Sequence, residues 1–315
     1  MNKYFTLLLA GIASQAVAAD VGFGAAMSVN ASTSANEKEM VGVTATAEYE
    51  TALSEQSAAF ASANIFVSPL SFQAGGPKNA NFVVGGTFSQ QGSPASAQIG
   101  LGLEVISPAA IFNYSTSYMF SYGPFSHTGL KADVSITDDV SMMLGVFNST
   151  DQTESQPMDE DYMFGAQLGL YGQYINFLSG DDYTQFDFTG GFNISEKLFL
   201  GINATTTELA ADASFSGVAL YPQYTLSDSF SLGIRGEIFS ETNGGAGALY
   251  SGALSGSSED ADNTSFTITG SYTKGNFILK PEFRIDTASA NIYSKNATDF
   301  SDNLASFVVA AIYAF

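Results

Sequence analysis

The stretch that decides the fold is NLASFVVAAIYAF, the last thirteen residues, from Asn303 to Phe315. Successive side chains of a β-strand point to opposite faces of the sheet. One face here would carry Ala305, Phe307, Val309, Ala311, Tyr313 and Phe315, and the other Ser306, Val308, Ala310, Ile312 and Ala314. Two apolar faces are unusual on a sheet in water. In a closed barrel, however, one face of such a strand can contact lipid and the other the seam of the barrel.

The same alternation recurs along the chain in segments of about ten residues separated by turn residues, a pattern typical of a transmembrane barrel. In the first segment, residues 21 to 30, Val, Phe, Ala and Met alternate with Gly, Ala, Ser and Asn. We therefore predict an all-β fold, a transmembrane antiparallel β-barrel of about sixteen strands. Fourteen strands are the alternative if the third and fourth segments are mispaired.

The lengths of the connections agree with such a barrel. An even number of strands puts both termini on the periplasmic side, and the connections then fall into two classes. Short periplasmic turns are predicted at 137–139, 195–197, 227–229 and 274–276, and long extracellular loops at 149–161, 242–262 and 287–302. Short turns on the periplasmic rim and long loops outside are the usual arrangement of these barrels.

The first eighteen residues have the features of a secretory signal peptide. Lys3 supplies the positive charge, residues 5–12 form the apolar core, and the small residues Ala16, Val17 and Ala18 form the cleavage site. We expect residues 19–315 to form a single outer-membrane barrel domain. No later stretch has the roughly 20 continuous apolar residues that a transmembrane helix needs.

Composition argues against several classes of protein. Charged residues make up 13% of the chain, whereas about 25% is usual for a soluble domain. The formal net charge of −21 makes nucleic acid and anionic membrane surfaces poor partners. The absence of cysteine excludes disulfides, thiolate chemistry and Cys-ligated metals. The 31 Gly, 15 Tyr and 26 Phe residues suit lipid-facing strands with aromatic girdles, although a secreted β-sandwich or solenoid would also be rich in glycine.

Two parts of the sequence resemble known outer-membrane proteins. Tyr313 and Phe315 resemble the C-terminal signal that the Gram-negative assembly machinery recognises. The block from Gly102 to Asn148, which includes GLEVI at 102–106 and PFSHTG at 124–129, resembles the OmpL-like β-barrel porin family, as does PEFRID at 281–286. The resemblance implies a barrel in the outer membrane of a Gram-negative bacterium, in contact with outer-membrane lipid, that serves as a diffusion channel.

Charged residues at inward positions of the predicted strands are candidate pore-lining groups. These are Lys131, Asp133, Asp187, Arg235, Glu237, Lys280, Glu282, Arg284 and Asp286. Rings of fixed charge in a channel choose between cations and anions. The alternative is that opposite charges neutralise one another across the wall, since buried charges are nearly always paired. The acidic balance favours cations, while the four basic residues could locally reverse that preference.

The stretch 106–125 interrupts the alternation and is rich in aromatic residues, with Pro at 108 and 124. A loop of that length inside a compact fold needs a reason. We expect it to fold into the lumen as a constriction, because its rings would otherwise face water and because a barrel of this size leaves a wide channel. The candidate constriction residues are Phe112, Tyr114, Tyr118, Phe120 and Tyr122. The alternative is an extracellular loop packed on its neighbours.

Catalysis and cofactor binding are not expected. His127 is the single histidine, and no Gly-x-Ser-x-Gly motif accompanies it, so a lipid-modifying enzyme lacks a recognisable nucleophile. The acidic loop clusters at 159–161, 181–182 and 259–262 lack the spacing of a calcium loop and are interpreted as solvated.

The sequence therefore predicts an outer-membrane porin for passive diffusion of small hydrophilic solutes, with no metal or other cofactor and with a homo-oligomer as an option. The alternative is a non-conducting structural or adhesive barrel whose acidic loops bind a surface partner.

Overall fold

The computed structural model describes most of the chain after residue 21. Backbone structure is described for residues 22–34, 37–54, 57–67, 79–89, 95–103, 112–124, 127–150, 162–244, 260–294 and 300–314. Side chains are described for residues 112–124, 127–150, 162–244, 260–293 and 301–313. The predicted signal peptide, residues 1–18, lies outside these ranges.

The described elements are almost all strands. The strands are β1 (Gly22–Ser34), β2 (Glu37–Ser54), β3 (Ser57–Val67), β4 (Asn79–Ser89), β5 (Ala95–Leu103), β6 (His127–Thr137), β7 (Val140–Phe147), β8 (Met163–Leu170), β9 (Gln173–Gly180), β10 (Tyr183–Asn193), β11 (Leu198–Leu209), β12 (Ser214–Ser227), β13 (Phe230–Thr242), β14 (Ala261–Lys274), β15 (Phe277–Ala288), β16 (Tyr293–Ser294), β17 (Phe300–Ser301) and β18 (Asn303–Ala314). One short helix, α1, spans Tyr118–Tyr122, and a 3₁₀ turn spans Ala210–Asp212. None of the helices in the described ranges is long and apolar enough to cross a membrane.

Each strand from β1 to β14 pairs antiparallel with the next strand in the chain, and β18 closes the ring between β15 and β1. In the described part of the chain this ring comprises sixteen strands, and β16 and β17 form a separate two-stranded sheet in the connection between β15 and β18. The prediction of an all-β antiparallel barrel is confirmed. At the closing pair, the terminal strand lies with Ala314 opposite Ala26 and Ser306 opposite Ser34.

The two faces of the ring have opposite chemistry, and β14 illustrates it. Phe266 on its outer face is 46% exposed, whereas Thr267 and Thr269 on its inner face are fully buried. A sheet in water would bury the phenylalanine and expose the threonines. The inverted pattern repeats in other strands, since Leu130 and Ile238 are also exposed. An exposed apolar outer face is suited to hydrocarbon, as in other barrels of this kind.

The connections on one rim are short. Two-residue turns join β6 to β7, β8 to β9, β12 to β13 and β14 to β15. At Tyr171 and Gly172 the φ angles are 52° and 78°, a pair of positive values that matches the strand twist in a tight hairpin. On the other rim, the predicted loop at 287–302 is shorter than expected, because β15 continues to Ala288 and the loop itself contains β16 and β17.

Candidate solute passage

Residues 112–124, here called the inner segment, lie against inward-facing side chains of the ring. Met119 packs with Phe215, Ala219 and Phe239 of β12 and β13. Tyr114 packs with Ala310 and Ile312 of β18. The strand neighbours of these wall residues point outward, because alternate residues face opposite ways. The inner face of β12 to β15 and β18, which we call the anchoring wall, is therefore covered by this segment.

The segment contains helix α1, whose first turn is held by the wall. Ser117 caps the helix by accepting a hydrogen bond from the backbone N–H of Phe120 at 3.1 Å. The carboxylate of Glu237 accepts hydrogen bonds from the N–H groups of Tyr118 at 2.9 Å and Met119 at 3.0 Å. The first N–H groups of a helix have no partner within the helix. The helix has no acidic residue in its own first turn, so β13 supplies the negative charge that helix N-termini favour.

A second carboxylate holds the stretch before the helix. Glu282 of β15 accepts hydrogen bonds from the backbone N–H groups of Tyr114 at 2.7 Å and Ser115 at 2.9 Å. Thr269 donates to the same carboxylate at 2.6 Å and accepts from the side-chain amide of Asn113 at 2.7 Å. Four backbone donors of the inner segment thus bind to two wall carboxylates.

Two arginines hold the backbone carbonyls between those donors. Arg235 donates to the carbonyl oxygen of Ser115 at 2.5 Å, and Arg284 donates to that of Thr116 at 2.7 Å. Arg284 also forms an ion pair with Asp286, with Nη2 and Oδ1 2.8 Å apart. Hydrogen bonds to charged groups are stronger than neutral ones, about 1.5–3 kcal/mol each. The segment is therefore attached through its main chain, with charged partners for both N–H and C=O groups.

These contacts bury most of the charges that the sequence places at the lumen. Arg235, Glu237, Glu282 and Asp286 are at most 2% exposed, and Lys280 is 5% exposed. The sequence makes these residues candidate pore-lining groups, and in the structure Arg235, Glu237 and Glu282 bond to the inner segment. Residues 112–124 themselves contain no Asp, Glu, Lys or Arg. The segment itself thus adds no charged side chain to the interior.

The aromatic rings of the segment also pack against the wall. The Tyr118 ring stacks on Phe239 with centroids 5.8 Å apart, and the Arg284 guanidinium lies 4.9 Å from the centre of the Tyr118 ring. The Tyr122 ring stacks on Phe239 at 5.3 Å. Burial raises the pKa of both tyrosines above the ordinary value, so the phenols stay protonated. The Tyr118 ring therefore contacts the wall through both Phe239 and Arg284.

Phe112 and Phe120 complete the predicted constriction set, and both are half-buried. Phe112 lies directly over Gly233 of β13, where an added Cβ would be 2.2 Å from its Cε1 atom. Of the five predicted residues, Tyr114 is the most buried.

A second connection reaches the inner segment, which the sequence did not predict. The hydroxyl of Tyr293 in β16 lies 3.1 Å from that of Tyr118 and accepts a hydrogen bond from Asn263. Ile292 packs on the cluster around Met119. A signal was present, since residues 288–294 contain no charge in an otherwise acidic loop region.

The remaining predicted residues lie elsewhere on the ring. Lys131 and Asp133 form a pair on β6 at 4.0 Å, and Asp187 lies on β10. His127 is buried, with its ring 4.8 Å from that of Phe147. Tyr313 is 50% exposed on the outer face of β18, and Phe315 lies outside the described residues. In the described ranges, no three His, Asp or Glu side chains are arranged to hold a metal ion.

A closed antiparallel ring with an apolar outer face and a polar inner face is the architecture of an outer-membrane β-barrel. Comparison with protein families identifies the particular kind. Residues 100–315, more than half of the chain, match the family described as Putative beta-barrel porin-2, OmpL-like. The chain belongs to that family, and family and fold together support an outer-membrane location in Gram-negative bacteria.

Solved structures with similar folds are outer-membrane proteins of low sequence identity. An anion-selective porin from Comamonas acidovorans has a TM-score of 0.65 and 10% identity, covering 95% of this chain and 100% of its own. Salmonella typhi OmpF, in complex with daunomycin, has a TM-score of 0.64 and 11% identity, with 94% and 97% coverage. The trimer form of OmpT from Vibrio cholerae has a TM-score of 0.60 and 11% identity, with 95% and 100% coverage. No curated protein matches the sequence.

Proposed function

We propose that this protein is a porin through which small hydrophilic solutes diffuse passively, and that the inner segment narrows its lumen. The observation that carries the proposal is the attachment of an uncharged segment to one side of the interior by Arg235, Glu237, Glu282 and Arg284. A segment tied to one wall reduces the cross-section of the lumen. Sieving by size follows directly from that arrangement, and no catalytic step is assigned to the protein.

The proposal also covers partners and assembly. Tyr313 on the outer face and the terminal Phe315 are proposed to form the signal for the outer-membrane assembly machinery. The similarity to barrels that include a trimer form supports a homo-oligomer as part of the proposal. The solutes are small and hydrophilic, because the interior offers hydroxyl and amide groups.

The test is reconstitution of the refolded barrel in planar bilayers and in liposomes. Stepwise ion conductance together with swelling of liposomes in small sugars, falling off with sugar size, is the expected result. Reversal potentials under a salt gradient measure the ion preference in the same preparation. Absence of both ion conductance and liposome swelling in a correctly folded barrel would contradict the proposed porin function.

A non-conducting structural barrel is the second candidate, and one observation favours it. Ile292 and Tyr293 pack onto the inner segment from a second connection, which adds to the material inside the ring. If the two connections together fill the lumen, no solute passes and the acidic outer loops would act as the functional surface. The liposome experiment separates the two candidates, because a plugged barrel gives no swelling with any sugar.

A further inference from the structure

A line of amide, hydroxyl and carboxylate side chains lies on the inner face of β8 to β11, the strands that precede the anchoring wall in the ring. It consists of Gln167 on β8, Asn176 on β9, Asp187 and Thr189 on β10, and Asn203 on β11. We call these five residues the amide ladder. Each alternates with an outward residue such as Leu168, Ile175 or Phe186, which are exposed on the outer face. The ladder is therefore on the inner face, on strands adjacent to the anchoring wall.

The hydrogen bonds of the ladder converge on Asp187 from both sides. Gln167 donates to the Oδ1 of Asn176 at 2.7 Å, and Asn176 donates to Asp187 at 2.8 Å. From the other side, Asn203 donates to Asp187 at 2.7 Å and Thr189 donates to it at 2.9 Å. Asp187 accepts from three side chains and holds both asparagine amides in fixed orientations. The carboxylate acts here as a positioning residue, with its charge shared among neutral donors.

The orientation leaves hydrogen-bonding capacity for a ligand. An amide has two N–H donors and a carbonyl acceptor with two lone pairs. Asn203 uses its nitrogen on Asp187, on the carbonyl of Phe188 and on Thr189, so its oxygen points away from the carboxylate. Gln167 likewise uses its nitrogen on Asn176. The side chains of Gln167, Asn176 and Asn203 are all partly exposed within the ring.

Aromatic rings lie beside the ladder on the side of the short turns. Tyr174 precedes Asn176 on the inner face of β9, and its ring lies over Gly169, where an added Cβ would be 3.2 Å from Cε1. Phe199, on the inner face of β11, lies in the same way over Gly191, where a Cβ would be 2.2 Å from Cζ. Both rings are half-buried. The glycines allow the rings to lie flat against the wall instead of projecting across the channel.

We infer that the amide ladder, with Tyr174 and Phe199, is a binding track for neutral polyhydroxylated solutes such as oligosaccharides. Hydroxyl groups donate and accept at once, and so do the ladder amides, while flat rings contact the apolar faces of sugars. Neighbouring strands are about 4.8 Å apart, so the ladder extends roughly 14 Å across four strands. That length allows contact with more than one sugar ring. Exposed charges on the wall would attract ions in preference to neutral solutes, but most of these charged side chains are buried by the inner segment.

The inference rests on the proposed porin function for transport but not for binding. Its first test is the ion current through single channels in the presence of raffinose, a neutral trisaccharide. A sugar that binds inside the channel blocks the current with saturation, whereas a sugar that does not bind lowers it only in proportion to bulk viscosity. Saturable block of the wild-type channel is expected.

Substitutions in the amide ladder test whether its side chains bind the sugar. In Asn176→Ala/Asn203→Ala, loss of two hydrogen bonds of about 1 kcal/mol each should weaken the block roughly tenfold or more, with ion conductance changed less than twofold. Thr189→Val keeps the size of the side chain and should weaken the sugar block of the ion current roughly fivefold at most. The matched control is Asn193→Ala, an exposed amide at the end of β10 outside the ladder, which should behave as wild type.

Two results would overturn the inference while leaving the porin intact: a wild-type channel without saturable block, or a double variant and a Thr189→Val variant that both block as wild type does. If the folded barrel gives no ion current at all, the proposed function fails instead. Calorimetric titration of the detergent-folded barrel with raffinose then tests the ladder independently. Binding that is lost in the double variant upholds it, and absence of binding overturns it.

Discussion

Replacing the two carboxylates that hold the inner segment should open the channel in graded steps. Glu237→Gln and Glu282→Gln each turn an amide NH₂ towards backbone N–H groups that need an acceptor. Each carboxylate accepts two backbone hydrogen bonds, at 2.7–3.0 Å. Bonds to charged groups contribute about 1.5–3 kcal/mol each. Since the glutamine retains one acceptor oxygen, we expect each change to weaken docking by about 2–4 kcal/mol.

The single and double variants should differ because other contacts remain. Burial of Met119 contributes about 1.5–3 kcal/mol, and the two arginine contacts to the backbone persist. Each single variant should therefore stay mostly docked, with brief openings to a higher conductance level. The double variant loses about 4–8 kcal/mol and should remain at the higher level. Adjacent sites need not add strictly, so the order of the variants is the firm expectation.

Two assays measure the effect. Single-channel recordings give the levels and their lifetimes, and liposome swelling with a series of neutral sugars gives the size cut-off. The sugar cut-off separates an opened passage from a mere change in lumen charge. Glu196→Gln, an exposed glutamate in the turn between β10 and β11, is the matched control. A folded double variant with wild-type conductance and an unchanged cut-off would refute the view that these carboxylates hold the segment.

Three further predictions follow from other parts of the barrel. Gly233→Ala should displace Phe112 and alter conductance, whereas Gly236→Ala on the same strand, with nothing within 4 Å of its added Cβ, should not; equal recordings would contradict the contact. Phe266→Lys puts a charge on the outer face of β14 and should lower the unfolding free energy in lipid vesicles by about 2–4 kcal/mol, as measured by urea titration. Deletion of Phe315 should slow assembly into vesicles in the presence of the assembly machinery, and an unchanged rate would remove the proposed signal.

The barrel itself could be predicted because its cause is local and repeated. Alternation in β14 or β18 involves residues two apart, and lipid on one side with water on the other imposes it on each strand. Helix α1 could not be predicted in this way, since five residues are too few to show a 3.6-residue period. Strands β16 and β17 have two residues each and carry no period at all.

Local sequence periodicity cannot predict which wall residues bind the inner segment. Tyr114 and Glu282 are 168 residues apart in the chain, and Tyr118 and Glu237 are 119 apart. The sequence identified both glutamates as inward-facing and the segment as an inserted loop, but nothing in a single sequence joins the two observations. The sequence pattern makes these charges candidates either for ion selectivity or for neutralising one another across the wall. In the structure Arg235, Glu237 and Glu282 bond to peptide C=O and N–H groups of the inner segment.

Positive and negative side chains alternate on the anchoring wall, and this alternation explains why they bind a peptide main chain better than they bind an ion. Arg235 and Glu237 stand two residues apart on the inner face of β13, and Glu282 and Arg284 do the same on β15. A ring that selects ions concentrates one sign, whereas a peptide presents donors and acceptors in turn and needs both signs from its partner. Alternating acid and base on β13 and β15, the two strands that flank β14, is thus the complement of a main chain. It also explains how a segment without charged side chains of its own is fixed in place through its main chain.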